Sequence, residues 1–586
     1  MTELTIVNCH RAPRVKFVLT VDILPGGIIV FSPVVLYNAN ILTQNAERPV
    51  ANRMAWWNGN IIGVDEEIDF LFDGTPASLS TVEKINAKGA TVLPGFNDVH
   101  AHSVWYGQTL IEVDLASCYD AGDVYAKIRD HAKSLQETDW VICSNYNPYQ
   151  LSGERPSVDA LDQASEYRPV VLKHASGHAL TVSLEALKRA GIEEFPKSQP
   201  TGGEIVTDRE GRVTGLLDEN AMRYINDLLL PDPDATLADA LGAASEQYVA
   251  EGITSVTDAG IAGGWIGHSP REFGAYHQAL ESNRLLHNRL LHRTQTMITM
   301  DALHSIPGSQ SDPDVLGLDA GVRTGVGNEW LQIGPVKLFT DGSLLGATAA
   351  MTEEYAHCPH NHGYLQDEPE VMRNKALQAA AGKWALALHA IGDAAVDFAI
   401  ETITEARALY GPACMPDRIE HGGCIRQDQI EKMAQQGIVL VPQAHFVATY
   451  GDTMTKNLGT ARSQLSYPGK SLLNAGMVLP GSSDRPVAHG APMSVIQSFV
   501  ERLTETGKPY GPAERVSVEE ALKVYTRGSA WATGWNGRKG VISTNYLADF
   551  VLLEEDPRIV DSSQISQVGI KATVVGGKTV YGNLSA

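Results

Sequence analysis

The sequence predicts an α/β protein built on a (β/α)8 barrel, and two features support this. Strand-like segments alternate with helix-like stretches, such as 368–381 and 394–409, through the centre of the chain. Repeated units of this kind favour a parallel sheet, and eight of them are typical of the barrel. The eight segments are the run before His100 and then Ile253–Asp258, Arg289–His292, Ile333–Phe339, Ala385–His389, Arg418–His421, Ile438–Pro442 and Met477–Gly481.

The two ends of the chain predict a separate sheet structure. Arg53–Asp65 is an apolar run broken at Asn58-Gly59-Asn60, which is a hairpin signal. Near the C-terminus, Leu547–Leu553 is followed by Ile570–Tyr581, with Gly576-Gly577 as its turn. We therefore predict one composite β-sandwich made from both ends. The predicted units are an extension at 1–33, the sandwich at 34–92 and 536–586, and the barrel at 93–535.

A long stretch interrupts the barrel after its first strand. About 150 residues separate His102 from the strand at Ile253, too many for a simple crossover. The stretch carries strand-like segments of its own, at Pro169–His174 and in a hairpin around Asp208–Gly211. We predict an inserted subdomain at 105–245 that covers the barrel mouth.

Composition and charge narrow the class of protein. The chain has 586 residues, of which 43% are hydrophobic and 20% charged, as in ordinary globular proteins. Its net charge of −23 argues against nucleic acids and anionic membranes as partners. The six cysteines form no Cys-x-x-Cys pair, so we expect no disulfide framework. Residues 16–36 fit neither a spanning helix nor a signal peptide, and the expected location is cytoplasmic.

Two histidines one residue apart are the strongest chemical signal in the chain. His100 and His102 end the first predicted strand, and side chains two residues apart on a strand share a face. Both imidazoles would then point to one place, as a metal site requires. In a (β/α)8 barrel the reactive groups lie at the C-terminal ends of the strands. Three further residues of metal-ligand type occupy such ends here: His389, His421 and Asp484.

Lys337 can join these candidate metal ligands only after a chemical modification. An ammonium group cannot bind a cation, but a lysine that has reacted with CO2 is a carbamate with two oxygens able to bridge two metals. Alone, Lys337 would be interpreted as a core-edge lysine paired with Asp341. Lone histidines after strands are usually structural, and an Asp in a turn usually caps it. Because these residues follow one another at successive predicted strand ends, the pattern favours a metal site over the separate structural interpretations.

Several motifs of the chain resemble the amidohydrolase superfamily. The order His-x-His, Lys, His, His, Asp at the ends of strands one, four, five, six and eight is similar to its pattern. The sequence motifs around these residues resemble the YtcJ-like branch, amidohydrolase family 3, which includes N-substituted formamide deformylase. The motifs are Leu93–His102, Gly252–Gly260, Val336–Ser343, His389–Asp393, Arg418–His421 and Gly481–Asp484. The resemblance implies a (β/α)8 barrel, a composite β-sandwich and one or two divalent metals, commonly Zn2+.

Two segments depart from the branch. After the strand-four lysine the chain has Asp341–Ala349, with one extra residue and no arginine where the branch has one. In the insert, Trp140–Asn147 replaces a usual Gly-Trp-Asp. Both lie where substrate contacts are expected. The resemblance further implies that His178 faces the substrate, and we assign His178 and Asp341 to substrate binding.

Two other histidine-containing segments have simpler interpretations. His174 precedes His178 in the same insert segment, and an exposed loop histidine remains an alternative for His178. Cys358–His362 resembles a soft metal cluster but is interpreted as a loop, because no partner pair lies nearby in the sequence.

The predicted reaction is metal-dependent hydrolysis of a C–N bond of amide type in a small molecule. A metal lowers the pKa of bound water to roughly 7 and so supplies hydroxide, and Asp484 would shuttle the proton to the leaving nitrogen. A binuclear site would place His100, His102, Lys337 and Asp484 on one metal and Lys337, His389 and His421 on the other. A mononuclear site would use His100, His102 and His389.

Two alternatives from other classes remain open. A metal-assisted isomerase or lyase could use the same ligands. A non-catalytic binding or regulatory protein would need no intact proton shuttle, and the presence of Asp484 argues against it. A homodimer is compatible with the sequence.

Overall fold

The computed structural model describes residues 32–72, 82–264, 266–281 and 290–585, together with one pair of short strands before residue 20. Almost all of the predicted extension at 1–33 lies outside the described residues. The first strands are β1 Leu4–Thr5, β2 Val18–Leu19, β3 Val34–Tyr37, β4 Asn40–Leu42, β5 Val50–Ala51, β6 Met54–Trp57, β7 Asn60–Val64, β8 Glu83–Asn86, β9 Thr91–Pro94 and β10 Phe96–Ala101. The next are β11 Val113–Asp114, β12 Val141–Tyr146, β13 Val170–His174, β14 Ala179–Val182, β15 Gly203–Thr207, β16 Val213–Glu219, β17 Ile253–Ile261 and β18 Arg293–Thr299. The last are β19 His304–Ile306, β20 Val315–Gly317, β21 Leu331–Phe339, β22 Leu386–Ala390, β23 Arg418–His421, β24 Val439–Val441, β25 Phe550–Leu553, β26 Ile570–Val575 and β27 Lys578–Gly582.

The α-helices lie mainly between the strands of the central region. They are α1 Ser103–Ile111, α2 Ala121–Ala132, α3 Val158–Ala164, α4 Leu184–Arg189, α5 Arg223–Leu229, α6 Asp234–Ala250, α7 Glu272–Glu281, α8 Pro369–Ala381, α9 Asp393–Tyr410, α10 Gln427–Gln436, α11 His445–Arg462, α12 Lys470–Asn474, α13 Pro492–Glu501, α14 Val518–Lys523 and α15 Ser529–Ala532. The predicted helical stretches at 368–381 and 394–409 correspond to α8 and α9. Among the described residues, no helix is both long enough and apolar enough to cross a membrane.

A parallel barrel sheet forms the centre of the molecule, as predicted. Its seven regular strands follow the order β10-β17-β18-β21-β22-β23-β24, and every neighbouring pair is parallel. Helices pack around it, and the largest apolar core lies between sheet and helices. Because all strands run the same way, their C-terminal ends open at one mouth.

The predicted eighth strand, Met477–Gly481, is not a regular strand. The segment does close the barrel: the Val99 N–H donates to the Gly481 carbonyl over 3.0 Å, and the Asp484 N–H donates to the His100 carbonyl over 2.7 Å. Pro480 has no N–H to contribute to a ladder. Asp484 has φ of 57°, in the left-handed region, so the chain bends away from the extended path there.

The third barrel strand begins later than predicted. The prediction placed it at Arg289–His292, of which Arg289 lies outside the described residues, whereas β18 starts at Arg293. All seven residues of β18 are buried although four of them are Thr or Gln. This polar composition hides the strand from a search for apolar runs.

Strands from both ends of the chain build the composite sandwich. One sheet has the order β27-β26-β25-β9-β4-β5, and the other has β7-β6-β3-β8. Their facing side chains share one apolar core, in which Trp56 meets Phe550 edge to face with ring centroids 5.1 Å apart. The turns predicted at 58–60 and 576–577 lie between β6 and β7 and between β26 and β27.

A six-stranded sheet is inserted between β10 and β17. Its order is β11-β12-β13-β14-β16-β15, and the hairpin predicted around 208–211 joins β15 to β16. The exact boundaries of the predicted units stay predictions.

Within the described residues, Cys118, Cys143, Cys358, Cys414 and Cys424 are free thiols, and Cys9 lies outside them.

A buried ion pair ties the barrel to the sandwich. The Arg293 guanidinium donates to both oxygens of Asp549, over 2.7 and 3.0 Å. It also lies over the Trp330 ring, 4.3 Å from the centroid. Only 1% of the Arg293 side chain and 5% of the Asp549 side chain are exposed.

We predict that Arg293→Ala destabilises the protein by about 3–5 kcal/mol, because it leaves the Asp549 carboxylate buried without its partner. The urea midpoint of unfolding measures the loss. Arg271→Ala is the control, since the Arg271–Asp234 pair is exposed and exposed pairs contribute about 0–1 kcal/mol. Equal shifts for the two variants would contradict the prediction.

Candidate metal centre

The barrel strands bring the six predicted ligand residues to one mouth. His100 lies on β10 and His102 directly follows it, Lys337 lies on β21, and His389 and His421 lie on β22 and β23. Asp484 lies on the segment that closes the barrel beside β10. All six side chains line a single cavity.

His100, His102 and Asp484 form a tight cluster. Asp484 Oδ1 lies 3.3 Å from His100 Nε2 and 3.1 Å from His102 Nε2. One ligand atom from each of the three residues lies within 4.8 Å of the others. All three residues are buried. An Asp and two His side chains arranged in this way could hold a divalent cation.

His389 and His421 lie beside this cluster rather than within it. The His421 ring centroid is 4.9 Å from that of His100 and 4.5 Å from that of His389. His421 has φ of 82°, a backbone conformation that costs free energy in a non-glycine residue. With Asp484, this makes two of the six residues left-handed, which the sequence pattern did not show.

Buried partners orient the imidazoles. Glu420 Oε2 accepts a 2.6 Å hydrogen bond from His100 Nδ1, which directs Nε2 toward the cluster. Arg418 donates to both Glu420 oxygens over 2.7 and 2.9 Å. Gln443 Oε1 lies 2.8 Å from His421 Nδ1 in the same way. Hydrogen bonds of this kind fix the tautomer and orientation of metal-binding histidines.

Sequence reasoning missed Glu420, Arg418 and Gln443. Arg418 and Glu420 stand two apart on β23 and therefore share a face, a spacing that could have signalled a buried ion pair. No sequence pattern indicated a role for Gln443, because only the fold places it beside His421.

The electrostatics of the cluster suit ligand chemistry. Burial lowers the pKa of His102, and it lowers the pKa of His421 well below the usual range, so both imidazoles are neutral. Burial alone would raise the pKa of Asp484, but His100 and His102 hold it well below its usual range. Asp484 is therefore an ionised acceptor.

Lys337 is buried beside these groups. Its Nζ lies 4.8 Å from the centroid of the Phe339 ring. Burial lowers the pKa of Lys337 to about 8. Near pH 8, Lys337 is then a neutral amine in a large fraction of the protein molecules. The neutral amine is the form that reacts with CO2.

Orphaned polar atoms show that these residues fit a metal. Within the described part of the chain, His100 Nε2, His102 Nδ1, His389 Nδ1 and Lys337 Nζ are buried and have no hydrogen-bond partner. Buried polar atoms without a partner are costly and require an explanation. A cation bound among the imidazole nitrogens and the Asp484 carboxylate would satisfy the histidines, whereas Lys337 could take part only as a carbamate. Nitrogen and oxygen donors of this kind suit zinc and neighbouring transition metals.

An apolar wall lines the rest of the cavity, whose space not filled by atoms is about 620 Å³ including its open mouth. The wall residues are Trp105, Phe339, Leu344, Leu345, Ile391, Phe446, Tyr450, Met454, Tyr467 and Val487.

The two predicted substrate-binding residues lie in different surroundings. His178, from the inserted sheet, lines the cavity. Asp341 accepts the backbone N–H groups of Ala350, Ile391 and Gly392 over 3.0, 3.0 and 2.8 Å. It also lies 3.4 Å from His389 Nε2. The assignment of Asp341 to substrate binding stays a prediction, and these contacts favour a positioning role.

The remaining histidine candidates are not at the cavity. His174 Nε2 lies 2.7 Å from the Thr181 hydroxyl, between two strands of the insert. The Cys358–His362 segment forms a turn between β21 and α8, and His360 there is 94% exposed.

We predict that Glu420→Gln lowers the affinity for Zn2+ by about 10–100-fold, because His100 loses its charged hydrogen-bond acceptor. Competition with a chromogenic chelator measures the affinity. Glu405→Gln, which changes a surface partner of Arg373, serves as the control. Unchanged affinity in Glu420→Gln would show that this carboxylate does not support the ligand.

Known proteins resemble this chain over nearly its whole length. The model of the Amidohydrolase family matches residues 83–581. The putative amidohydrolase YtcJ of Bacillus subtilis is 29% identical over 85% of this chain and 90% of its own. The N-substituted formamide deformylase of Arthrobacter pascens is 25% identical over 93% of this chain and 98% of its own.

A solved structure shares the fold. An uncharacterized metal-dependent hydrolase from Pyrococcus horikoshii aligns with a TM-score of 0.70 and 22% identity, over 91% of this chain and 99% of that one. This likeness supports the barrel architecture. The family model spans most of the sequence, and together with the strand-end residues it confirms the predicted membership: the protein belongs to the amidohydrolase family.

Proposed function

We propose that this protein is a metal-dependent hydrolase that cleaves a C–N bond of amide type in a small molecule. The cluster of His100, His102 and Asp484 in the cavity at the barrel mouth carries this proposal. Family membership supports a hydrolase, and the orphaned imidazole nitrogens support a bound cation.

The residues that would hold the metal follow from their positions. His100, His102 and Asp484 would hold one ion, with His389 and His421 beside them for a second. We propose Zn2+ because the donors are nitrogen and carboxylate oxygen. When bound, such an ion polarises a carbonyl oxygen and makes water a nucleophile near neutral pH.

Asp484 is the proposed proton shuttle. Its carboxylate is ionised and lies at the cavity floor, so it can accept a proton from the attacking water. The same group can then deliver that proton to the departing nitrogen, which leaves as a neutral amine. The neighbouring imidazoles of His100 and His421, held by Glu420 and Gln443, are directed toward the ligand site.

The cavity wall indicates the kind of substrate. Charged and polar groups cluster at the floor, while aromatic and aliphatic side chains form most of the remaining lining. We propose an amide that carries an apolar substituent, which this wall would bury. The deformylase of Arthrobacter pascens, named for N-substituted formamides, is a relative consistent with this class.

Lys337 is the proposed bridging residue. Its amine is buried and lacks a hydrogen-bond partner within the described residues, and it lines the same cavity as His389 and His421. We propose that it carries a CO2-derived carbamate when two metals are bound, because only then can it offer oxygens to both.

Screening the metal-loaded protein against amides, esters and lactams tests the proposed reaction. Turnover of amides that stops after dialysis against a chelator and returns with Zn2+ is the expected result. Full turnover in dialysed protein without any transition metal would overturn the proposal.

We predict different signatures for Asp484→Asn and His100→Ala. Asp484→Asn should keep most of its metal and lose about 10²–10⁴-fold in turnover, because an amide cannot shuttle protons. His100→Ala should lose metal and turnover together. Elemental analysis and amide hydrolysis measure both, with exposed His277→Ala as the control. Turnover by Asp484→Asn within a few-fold of the parent protein would exclude the shuttle.

We predict that Lys337→Ala lowers the metal content and that added short carboxylates restore part of the activity. The added carboxylate would replace the two carbamate oxygens. Elemental analysis and hydrolysis with formate or acetate present measure the effect. Lys539→Ala, which changes another buried lysine, should show no such rescue. Full metal content in Lys337→Ala would rule out the bridging role.

A further inference from the structure

Arg485 directly follows Asp484, and its guanidinium is buried against α1 and the end of α6. Its Nη2 donates to Glu251 Oε2 over 2.6 Å. The guanidinium also lies over the rings of Tyr106 on α1 and Tyr248 on α6, 4.6 and 5.3 Å from their centroids. Only 1% of Arg485 is exposed. A planar guanidinium that pairs with a carboxylate and contacts aromatic faces is held in one orientation.

The carboxylate that receives Arg485 is itself anchored. Glu251 follows the last residue of α6, and its Oε1 accepts a 2.7 Å hydrogen bond from Gln247 Nε2, one helical turn earlier. The chain after the closing segment also packs against the guanidinium, because a Cβ at Gly490 would lie 2.1 Å from Arg485 Nε. The guanidinium therefore lies in a site formed by three separate parts of the chain.

The backbone of the same arginine pairs with the strand end that carries the first two histidines. The His102 N–H donates to the Arg485 carbonyl over 2.9 Å, and the Asp484 N–H donates to the His100 carbonyl over 2.7 Å. Arg485 is thus held by its backbone at the mouth of the barrel and by its side chain against two helices. Asp484 is connected to both of these contacts through a single covalent neighbour.

The backbone of Asp484 requires such support. Its φ of 57° lies in the left-handed region, which costs free energy in a non-glycine residue and persists only when the surroundings enforce it. On the N-terminal side, the N–H and hydroxyl of Ser483 donate to the Asp98 carboxylate over 3.1 and 2.5 Å. On the C-terminal side, the pair of Arg485 and Glu251 is the corresponding anchor. The left-handed residue is therefore held between two buried carboxylates.

We propose that Arg485, through its ion pair with Glu251, is a positioning residue that fixes the carboxylate of Asp484 at the candidate metal centre. Without this anchor, the closing segment would move and the carboxylate would lose its place beside His100 and His102. The inference rests on the proposed function, in which Asp484 is a metal ligand and the proton shuttle. Within the described part of the chain, the residues that line the cavity do not include Arg485, so it acts through its neighbour.

Hydrogen–deuterium exchange of the metal-free protein tests the anchor directly. In Arg485→Met, backbone amides within 481–490 should exchange about ten-fold faster or more, because loss of a charged hydrogen bond makes local opening easier. Arg293→Met is the matched control, since this arginine is equally buried, pairs with Asp549 and lies over the Trp330 ring. It should lose stability yet leave exchange in 481–490 nearly unchanged. Unchanged exchange in Arg485→Met would overturn the proposal.

Co2+ binding tests whether the anchor acts through Asp484. Arg485→Met should weaken Co2+ binding about 10–100-fold and alter the visible absorption of the bound ion, whereas Arg293→Met should change neither. In an Asp484→Ala background, Arg485→Met should have no further effect on affinity, because the carboxylate that it positions is gone. Additive losses in the double variant would contradict a role through Asp484.

Glu251→Gln removes only the charge of the partner and serves as the second variant if Arg485→Met does not fold. It should change exchange and Co2+ affinity in the same directions by smaller factors, and no change in either would count against the proposal. The results also separate this inference from the proposed function. If the parent protein binds no Co2+, the proposed function fails, while exchange still decides whether Arg485 anchors the segment. If Co2+ binding depends on Arg485 but no amide is hydrolysed, the proposed function alone fails.

Discussion

Parallel closure of the barrel is the constraint on which the rest of the molecule depends. Because neighbouring strands run in one direction, six ligand-type side chains from distant parts of the chain reach one mouth, over a sequence span from His100 to Asp484. The closing segment at 477–485 is irregular, yet its hydrogen bonds to β10 place Asp484 against His100 and His102. A slip of one residue in this pairing would turn Asp484 to the other side.

Burial of the predicted ligand residues costs solvation free energy, and paired charges inside the barrel offset this cost. His100 is fully buried, and its Nδ1 is satisfied by Glu420, whose charge is balanced in turn by Arg418. The same solution recurs where Arg293 meets Asp549 and where Arg485 meets Glu251 over 2.6 Å. Each pair replaces lost hydration with directed hydrogen bonds. The neutral imidazoles of His102 and His421 and the ionised Asp484 lie within this buried region.

The barrel and the inserted sheet both line the cavity. The barrel supplies the polar floor, α11 and the loops after β21 supply much of the apolar wall, and the insert adds His178. Asp341 shows how one prediction changes in context: three backbone N–H groups occupy its carboxylate. It thereby joins the loop after β21 to the turn that follows His389 and so fixes the backbone beside this predicted ligand residue.

The sequence by itself determined the barrel class, the composite sandwich, the insertion and all six ligand-type residues, because strand-end motifs and their order are local patterns. It also predicted both principal hairpins from their turn residues. It misplaced β18, whose buried Thr and Gln side chains imitate a surface segment, and it predicted a regular eighth strand through Pro480.

Only the tertiary structure decided which groups orient the predicted ligand residues. Glu420 contacts His100 and Gln443 contacts His421, and these partners are distant in the sequence. No local spacing predicts such contacts, although the spacing of Arg418 and Glu420 on one strand is a partial signal. The left-handed backbone of His421 and Asp484 could not be predicted from the sequence either, because a non-glycine residue adopts that conformation mainly when its surroundings enforce it. Local periodicity therefore specified which residues reach the mouth, and three-dimensional packing specified their tautomers, charges and neighbours.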